Sequence, residues 1–480
     1  MFDLQIQRAA DGPEEGLRAD DSLVRHFRTG DMEALDRAVA LYRRLLASVP
    51  PDAGPAAVGA ANLMVALHRR SQLLGRPDDV EALIGLGRVR TAREPVRPQD
   101  VRLLGLAYRQ RFALHGRPDD LDRAAETFRR ALDLPQEAGT AAQTLAALAD
   151  VLHLRHQVAA DRGPEDTRAP SAGAGDGGAP GPAADLLSAT DAQRRALRAL
   201  PGGSVNRPAY LSDLAEMRHS AYLYDGDLDA LREALDLWRA AADAVPPDDS
   251  NRPLVLGNLA RGLRTWHEHA PDEAHLPEML RTHRAAVAAC PHGQPGRAEL
   301  LAGLGVALRL AAEATDDPAL LEESAVRLRE ALALLRPGSP GRADRLNSLG
   351  NTLHRLAQWT GDAVRLDEAV ATLRAALAEH EPGTEAYAGS LANLAVTLRQ
   401  RALQTDDLAS LGEAARLARE ALHASRASPA AQVVRLGNLG WCSRAGTRRP
   451  GTPRPPTRRS TRPAAPSPSR PVPGCRSSTG

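Results

Sequence analysis

The sequence predicts an all-α fold, an α–α superhelix of about nine helix hairpins, and three observations predict it. An equivalent leucine returns at a fixed spacing: Leu214, Leu259, Leu304, Leu349, Leu394 and Leu439 stand 45 residues apart, preceded by Leu63, Leu104 and Leu148. Around each anchor the apolar residues step by three and four, as Leu346, Leu349 and Leu353 do. That spacing lines one stripe of a helix and no single face of a strand. Phe, Trp and Tyr together number only 14 in 480 residues, which disfavours a large β-sandwich and a base-stacking surface alike. Repetition at this period also means that length says nothing about domain count.

Taken in order, residues 1–16 carry no apolar core of signal-peptide type and read as a disordered N-terminus. The array is expected over residues 17–440, beginning with a degenerate half-unit that ends in residues 31–50. In each full unit a first helix ends at a polar break such as Thr360, Gly361, Asp362. A second apolar series follows, Leu366, Ala369, Val370, Leu373 and Leu377, again in steps of three and four. Gly and Asp suit the stop and start of helices, and a proline punctuates most unit ends (Pro50, Pro135, Pro201, Pro246, Pro291, Pro337, Pro382). The 66-residue gap between Leu148 and Leu214 places 21 extra residues between the two helices of one unit. They fall around residues 161–183, a Gly/Pro/Ala stretch too poor in large apolar groups to offset ordering, and are expected to form a disordered loop.

These residues resemble the tetratricopeptide repeat. Val101, Leu104, Gly105 and Tyr108, followed by Ala124, Phe128, Ala131 and Pro135, match its pattern, and Leu346, Leu349, Gly350, Leu353, Ala369, Leu373, Ala376 and Pro382 nearly do. The resemblance implies a superhelix of stacked hairpins whose first helices line a concave groove. The period departs from the usual 34 by 11 residues, assigned to longer helix ends and loops. With the phrase Arg28, Thr29, Gly30, Asp31 between helices, the long unit looks like the extended repeats of actinobacterial proteins that carry a caspase-like CHAT protease domain.

Comparison of the units exposes positions that packing alone does not demand. Five residues after the anchors stand His68, Arg109, His153, His219, Arg264, Arg309, His354, Arg399 and Arg444. This stripe, with Asn258, Asn347, Asn351 and Asn393 and the related Asn62 and Asn438, is the candidate groove for a protein or peptide with an acidic or C-terminal carboxylate group. The competing reading is structural: these cations pair with the recurring Glu233, Glu278, Glu323, Glu368 and Glu413 in an ion-pair ladder, or suit helix C-termini. A second basic series lies 25 residues after the anchors: Arg43, Arg88, Arg129, Arg194, Arg239, Arg284, Arg329, Arg374 and Arg419.

Catalytic and metal signals are poor. All 61 basic residues are Arg, so no phosphate-binding loop with its lysine exists, and no nucleophile elbow occurs. His267, Glu268, His269 and His275 cluster without metal spacing; Cys290, Cys442 and Cys475 make neither a disulfide framework nor a metal motif. His292 and Gly293 near Cys290 imitate a protease dyad by coincidence, since no alternating helix and strand pattern accompanies them. No catalytic residue, cofactor or metal is therefore expected, and a cytoplasmic location without membrane contact is.

The tail 441–480 has nine Arg, nine Pro and no acidic residue, which leaves residues 1–440 with a net charge of −8 inside an overall +1. It reads either as a basic disordered arm able to bind nucleic acid or as out-of-frame sequence. The break falls inside a helix and mid-motif, which favours the second and makes nucleic acid an unfavoured partner. The expected function is a non-catalytic protein-interaction scaffold, the sensor or regulatory repeat region of a CHAT-type protease system. The alternatives are a truncated fragment of such a protease, its catalytic domain lost or encoded downstream, and a stand-alone adaptor with a nucleic-acid-binding tail. An uncapped last hairpin would favour self-association at that end.

Overall fold

A computed structural model describes residues 13–93, 95–162, 181–271, 273–405 and 407–424. The chain divides into two compact units, one up to Arg336 and one from Pro337 onward. In the first, seven hairpins follow one another. They are α1 (Glu14–Thr29) with α2 (Met32–Ser48), α3 (Gly54–Leu74) with α4 (Pro77–Thr91), and α5 (Pro98–His115) with α6 (Pro118–Leu132). Then come α7 (Ala138–Arg162) with α8 (Pro182–Ala199), α9 (Arg207–Asp225) with α10 (Leu228–Ala244), α11 (Arg252–His269) with α12 (Leu276–Ala289), and α13 (Arg297–Thr315) with α14 (Pro318–Ala333). The second unit shows α15 (Arg342–Thr360) with α16 (Ala363–Glu379) and α17 (Glu385–Thr405) with α18 (Leu408–His423).

The turns follow from Gly and Asp chemistry. Gly361 takes φ 73°, a left-handed conformation that glycine adopts without steric cost, and its N–H returns to the Ala357 carbonyl at 2.9 Å. Asp362 then accepts the Val364 N–H at 2.9 Å and starts the next helix. Gly30 with Asp31 and Gly226 with Asp227 repeat the pair. Most connectors inside hairpins are only two residues, so the long period is largely longer helix and little of it loop.

Two further expectations are revised. The first unit is a complete hairpin: α1 starts at Glu14, before residue 17, and buries Ala19 and Leu23. Glu15, Arg18 and Ser22 stand where the later units carry their leucine series, which hides it from a leucine count. The insertion lies between α7 and α8, as the spacing requires, but α8 already starts at Pro182. Leu439, Arg444, Cys442, Asn438 and the tail 441–480 lie outside the described residues, as do 163–180.

Packing distinguishes the two helices of each hairpin. In the first unit successive first helices pack on one another, from α1 on α3 through to α11 on α13, as α15 does on α17 in the second. Successive second helices do not pack to that extent, so the first helices form the tighter, inner layer. The core lies between layers: Tyr42, Phe128 and Trp238, all on second helices, are fully buried with the anchor leucines. Gly350 admits the second helix closely, since a Cβ there would stand 2.5 Å from Leu373 Cγ. Among the described residues no helix is long and apolar enough to cross a membrane.

Candidate functional site

The basic stripe five residues after the anchors splits by residue type. His68, His153, His219 and His354 are buried where one first helix meets the next. His153 Nε2 lies 2.8 Å from Ser220 Oγ and His219 Nε2 3.4 Å from Thr265 Oγ1, in each case on the following first helix. His354 Nε2 receives the Gln358 amide at 2.9 Å, whereas neither ring nitrogen of His68 has a hydrogen-bond partner among the described residues. Burial pushes the pKa of His68, His219 and His354 down to about 4, helped by neighbouring arginines, and lowers that of His153. They are neutral packing groups at physiological pH. The histidine half of the stripe therefore does not line an open groove, because an imidazole is small and apolar enough to be packed between helices.

The arginine half stays near solvent but is engaged. Arg109 meets Asp150 of the next first helix at 2.9 Å, while Arg264 and Arg309 pair along their own helices with Glu268 at 2.7 Å and Glu313 at 2.9 Å. Arg399 is half-buried. Three of the asparagines do tie neighbouring first helices: Asn258 donates to Ser212 Oγ at 3.2 Å, and Asn393 to Asn347 Oδ1 at 3.0 Å. Asn351 is half-buried, and buried Asn62 donates to Asp20 at 2.9 Å.

An ion-pair ladder exists, built from the other basic series. The second-helix arginines reach 39 residues forward to the recurring glutamates: Arg194 to Glu233 at 2.6 Å, Arg239 to Glu278 at 2.9 Å and Arg284 to Glu323 at 2.7 Å. In the second unit Arg374 repeats the step to Glu413 at 3.0 Å. The competing reading thus had the right acids and the wrong cations. Sequence could have matched them, since the spacing from Arg to Glu is constant.

A second set of ion pairs escaped the sequence reading. Arg70 forks onto Asp79 at 2.7 and 2.6 Å and reaches Asp36 at 2.8 Å. Arg111 forks onto Asp120 at 3.0 and 2.6 Å and reaches Glu81 at 3.2 Å. Arg155 does the same with Asp185 and, at 2.9 Å, Asp122. Each clamp ties a first helix to its own second helix and to the preceding one. The signal was an Arg seven residues after the anchor combined with an Asp in the first turn of the following helix; Arg401 stands at the same position without that first-turn Asp and pairs with Asp367 of the preceding second helix at 2.6 Å.

What remains open on the inner layer is charged in a particular way. Asp213 on α9 is exposed and makes no hydrogen bond or ion pair with another described residue. The flanking helices still desolvate it, and with Asp150 and Glu216 nearby its pKa is pushed up to about 7. Glu216 pairs with Arg261 on α11. Arg102 on α5 is the opposite case: it is 2 % exposed, and it donates from Nη1 to Gln143 of α7 at 2.7 Å. The mostly buried Tyr210 of α9 lies within electrostatic range of both Arg102 and Asp213, and burial pushes its pKa up.

Among the described residues no group of three His, Cys, Asp or Glu side chains is arranged to hold a metal ion. His269 and His275 pack edge-on to Tyr222 and Trp266, and Cys290 is buried at the end of α12. No family model and no curated protein matches the chain. Similar solved structures include the C-terminal part of a TPR repeat-containing protein from Cytophaga hutchinsonii, 11% identical over 67% of this chain and 98% of that one, TM-score 0.40. The apo quorum sensor NprR from B. thuringiensis is 11% identical over 84% and 97%, TM-score 0.47, and apo RapI 10% identical over 84% and 97%, TM-score 0.45. At these scores the likenesses transfer no function. By its own hairpins the chain is a tetratricopeptide-like helical repeat protein.

Proposed function

We propose that the chain is a non-catalytic scaffold that holds an extended segment of another protein along the inner layer of the first unit. One observation carries this reading. Second-helix charges pair with one another along the ladder, whereas the inner layer keeps Asp213 unpaired at its surface beside Asp150 and Glu216. An unpaired exposed carboxyl group on a surface lined by helices from successive hairpins suits a ligand that runs across them. Because Arg109, Arg264 and Arg309 are neutralised by their own acids, a purely acidic partner is disfavoured relative to one of mixed charge.

The test is selection of displayed peptides on the purified chain, followed by hydrogen exchange of the complex. Protection confined to α5, α7, α9 and α11 supports the reading; absence of any selected peptide, or protection confined to second helices, overturns it.

The finer assignment is the regulatory repeat region of a CHAT-type protease system. Its support is the 45-residue period and the Arg28, Thr29, Gly30, Asp31 turn. Translation of the adjoining DNA in all frames tests it: a caspase-like sequence there supports the assignment, and an unrelated gene removes it.

A further inference from the structure

Two positions of the repeat show where the inner layer departs from its own pattern. Two residues after the anchor, the other described units with an anchor leucine carry Val65, Leu106, Val306, Asn351 and Val396, all uncharged. The successive first helices α7, α9 and α11 carry Asp150, Glu216 and Arg261 there instead. One residue before the anchor, Asp213 on α9 is the only charged residue among the units with an anchor leucine, three of which have Asn62, Asn258 and Asn393 in its place. At these two positions charge is thus confined to three neighbouring helices, and most of it is acidic.

The acids are open to a ligand. Asp213 is exposed, and the side chains of Asp150 and Glu216 are 47% and 28% exposed. Asp150 and Glu216 each hold one cation, Arg109 and Arg261, which leaves none for Asp213. Asp150 and Glu216 raise the pKa of Asp213 and no cation of a described residue lowers it, so ionising this third acid is unfavourable until a cation arrives. A neutral group points to the same ligand. Tyr210, one turn before Asp213 on α9, is 8% exposed, yet its hydroxyl is not sealed from solvent and has no hydrogen-bond partner among the described residues. It lies within electrostatic range of Asp213, and a phenol oxygen can accept an N–H from a cation. Arg102, which also acts on Tyr210, is buried and does not act on Asp213.

We propose that the inner layer at α7, α9 and α11 binds the ammonium or guanidinium group of a Lys or Arg side chain in the peptide ligand. Asp213 supplies the counter-charge, Tyr210 an oxygen acceptor, and Asp150 and Glu216 the surrounding negative field. The proposal rests on the peptide-scaffold reading above and names the ligand group that this stretch selects.

The test uses the full chain and two fluorescent pools of random dodecapeptides, one containing Lys and Arg and one with acetyl-lysine and citrulline in their place. The cationic pool should bind about tenfold more tightly. Asp213→Asn installs the residue that Asn258 and Asn393 provide in other units, so the variant should melt no lower than the wild type. It should nevertheless weaken cationic peptides about tenfold and leave neutral ones unchanged, and Asp213→Glu should keep part of the affinity. Neutral peptides that bind as well as cationic ones, or an Asp213→Asn chain that keeps the wild-type preference, overturn the cation site and leave the scaffold reading standing. If neither pool binds, the scaffold reading fails and spermidine decides the site. At matched ionic strength, a melting-temperature rise in the wild type that Asp213→Asn lacks supports it, and equal shifts or none overturn it.

Discussion

Hairpins two to four and hairpins five to seven of the first unit solve one packing problem in two ways. At the joint where a first helix meets the start of its second helix, the earlier hairpins place Arg70 with Asp79, Arg111 with Asp120 and Arg155 with Asp185. The later ones place Ala221 with Ala230, Trp266 with His275 and Ala311 with Leu320 at the same positions. Charge reappears there at the surface, as Arg239 with Glu278 and Arg284 with Glu323. The joint thus forms with or without a buried ion pair in one architecture, as expected when desolvation cancels most of the Coulomb attraction. What differs is tolerance to losing one partner.

That difference supplies the largest expected effect. Arg111→Ala leaves Asp120, 2 % exposed at its side chain, without its fork, and should cost about 3–5 kcal/mol in urea unfolding. Arg111→Ala with Asp120→Ala should cost less than Arg111→Ala alone, because it copies the Ala221 and Ala230 joint; strictly additive losses would break the equivalence.

Acid should weaken both regions, since each contains buried neutral histidines. His68 and His219 have folded pKa values of about 4, below the ordinary 6.5. The unfolded chain therefore binds more protons between these values, and stability falls as pH drops from 6.5 toward 4, on the order of 2 kcal/mol per histidine by pH 5. Asp213, raised to about 7, works oppositely and stabilises as pH falls from 7 toward 4. Melting curves across pH 5–7 for His219→Gln and Asp213→Asn should flatten and steepen the dependence, respectively.

A joint that both regions share should show equal costs. A Cβ at Gly105 would stand 2.7 Å from Phe128, and one at Gly305 2.6 Å from Leu328. Gly105→Ala and Gly305→Ala should each destabilise by about 1–3 kcal/mol, and a large inequality in their unfolding midpoints would show that the regions pack differently there. The smallest effect belongs to the ladder. Arg284 is 49% exposed at its side chain, so Arg284→Ala should cost only about 0.2–1 kcal/mol, and less again in 1 M salt.

Much of this fold is legible in the chain itself. The leucine period, the Gly361 and Asp362 turn and the three-and-four spacing are local rules, and the hairpins obey them. The first hairpin was half hidden because Glu15, Arg18 and Ser22 stand where later units carry their leucine series. The candidate site was less legible: sequence placed Arg and His in one stripe, and packing then buried every one of its four histidines that is described. Arg102 gave no periodic signal, being a single residue in a single unit.

Sequence alone determined that these residues form repeated helix hairpins and where each turn falls, because backbone hydrogen bonding and apolar spacing act within a few residues. It also fixed which charges recur. Only tertiary structure turned those spacings into contacts: Arg239 reaches Glu278 across 39 residues and Arg70 reaches Asp36 across 34, which depends on which helices pack side by side. The same packing leaves Arg102 buried without a carboxylate and Asp213 open without a cation, a property of neighbouring helices together and of no segment by itself.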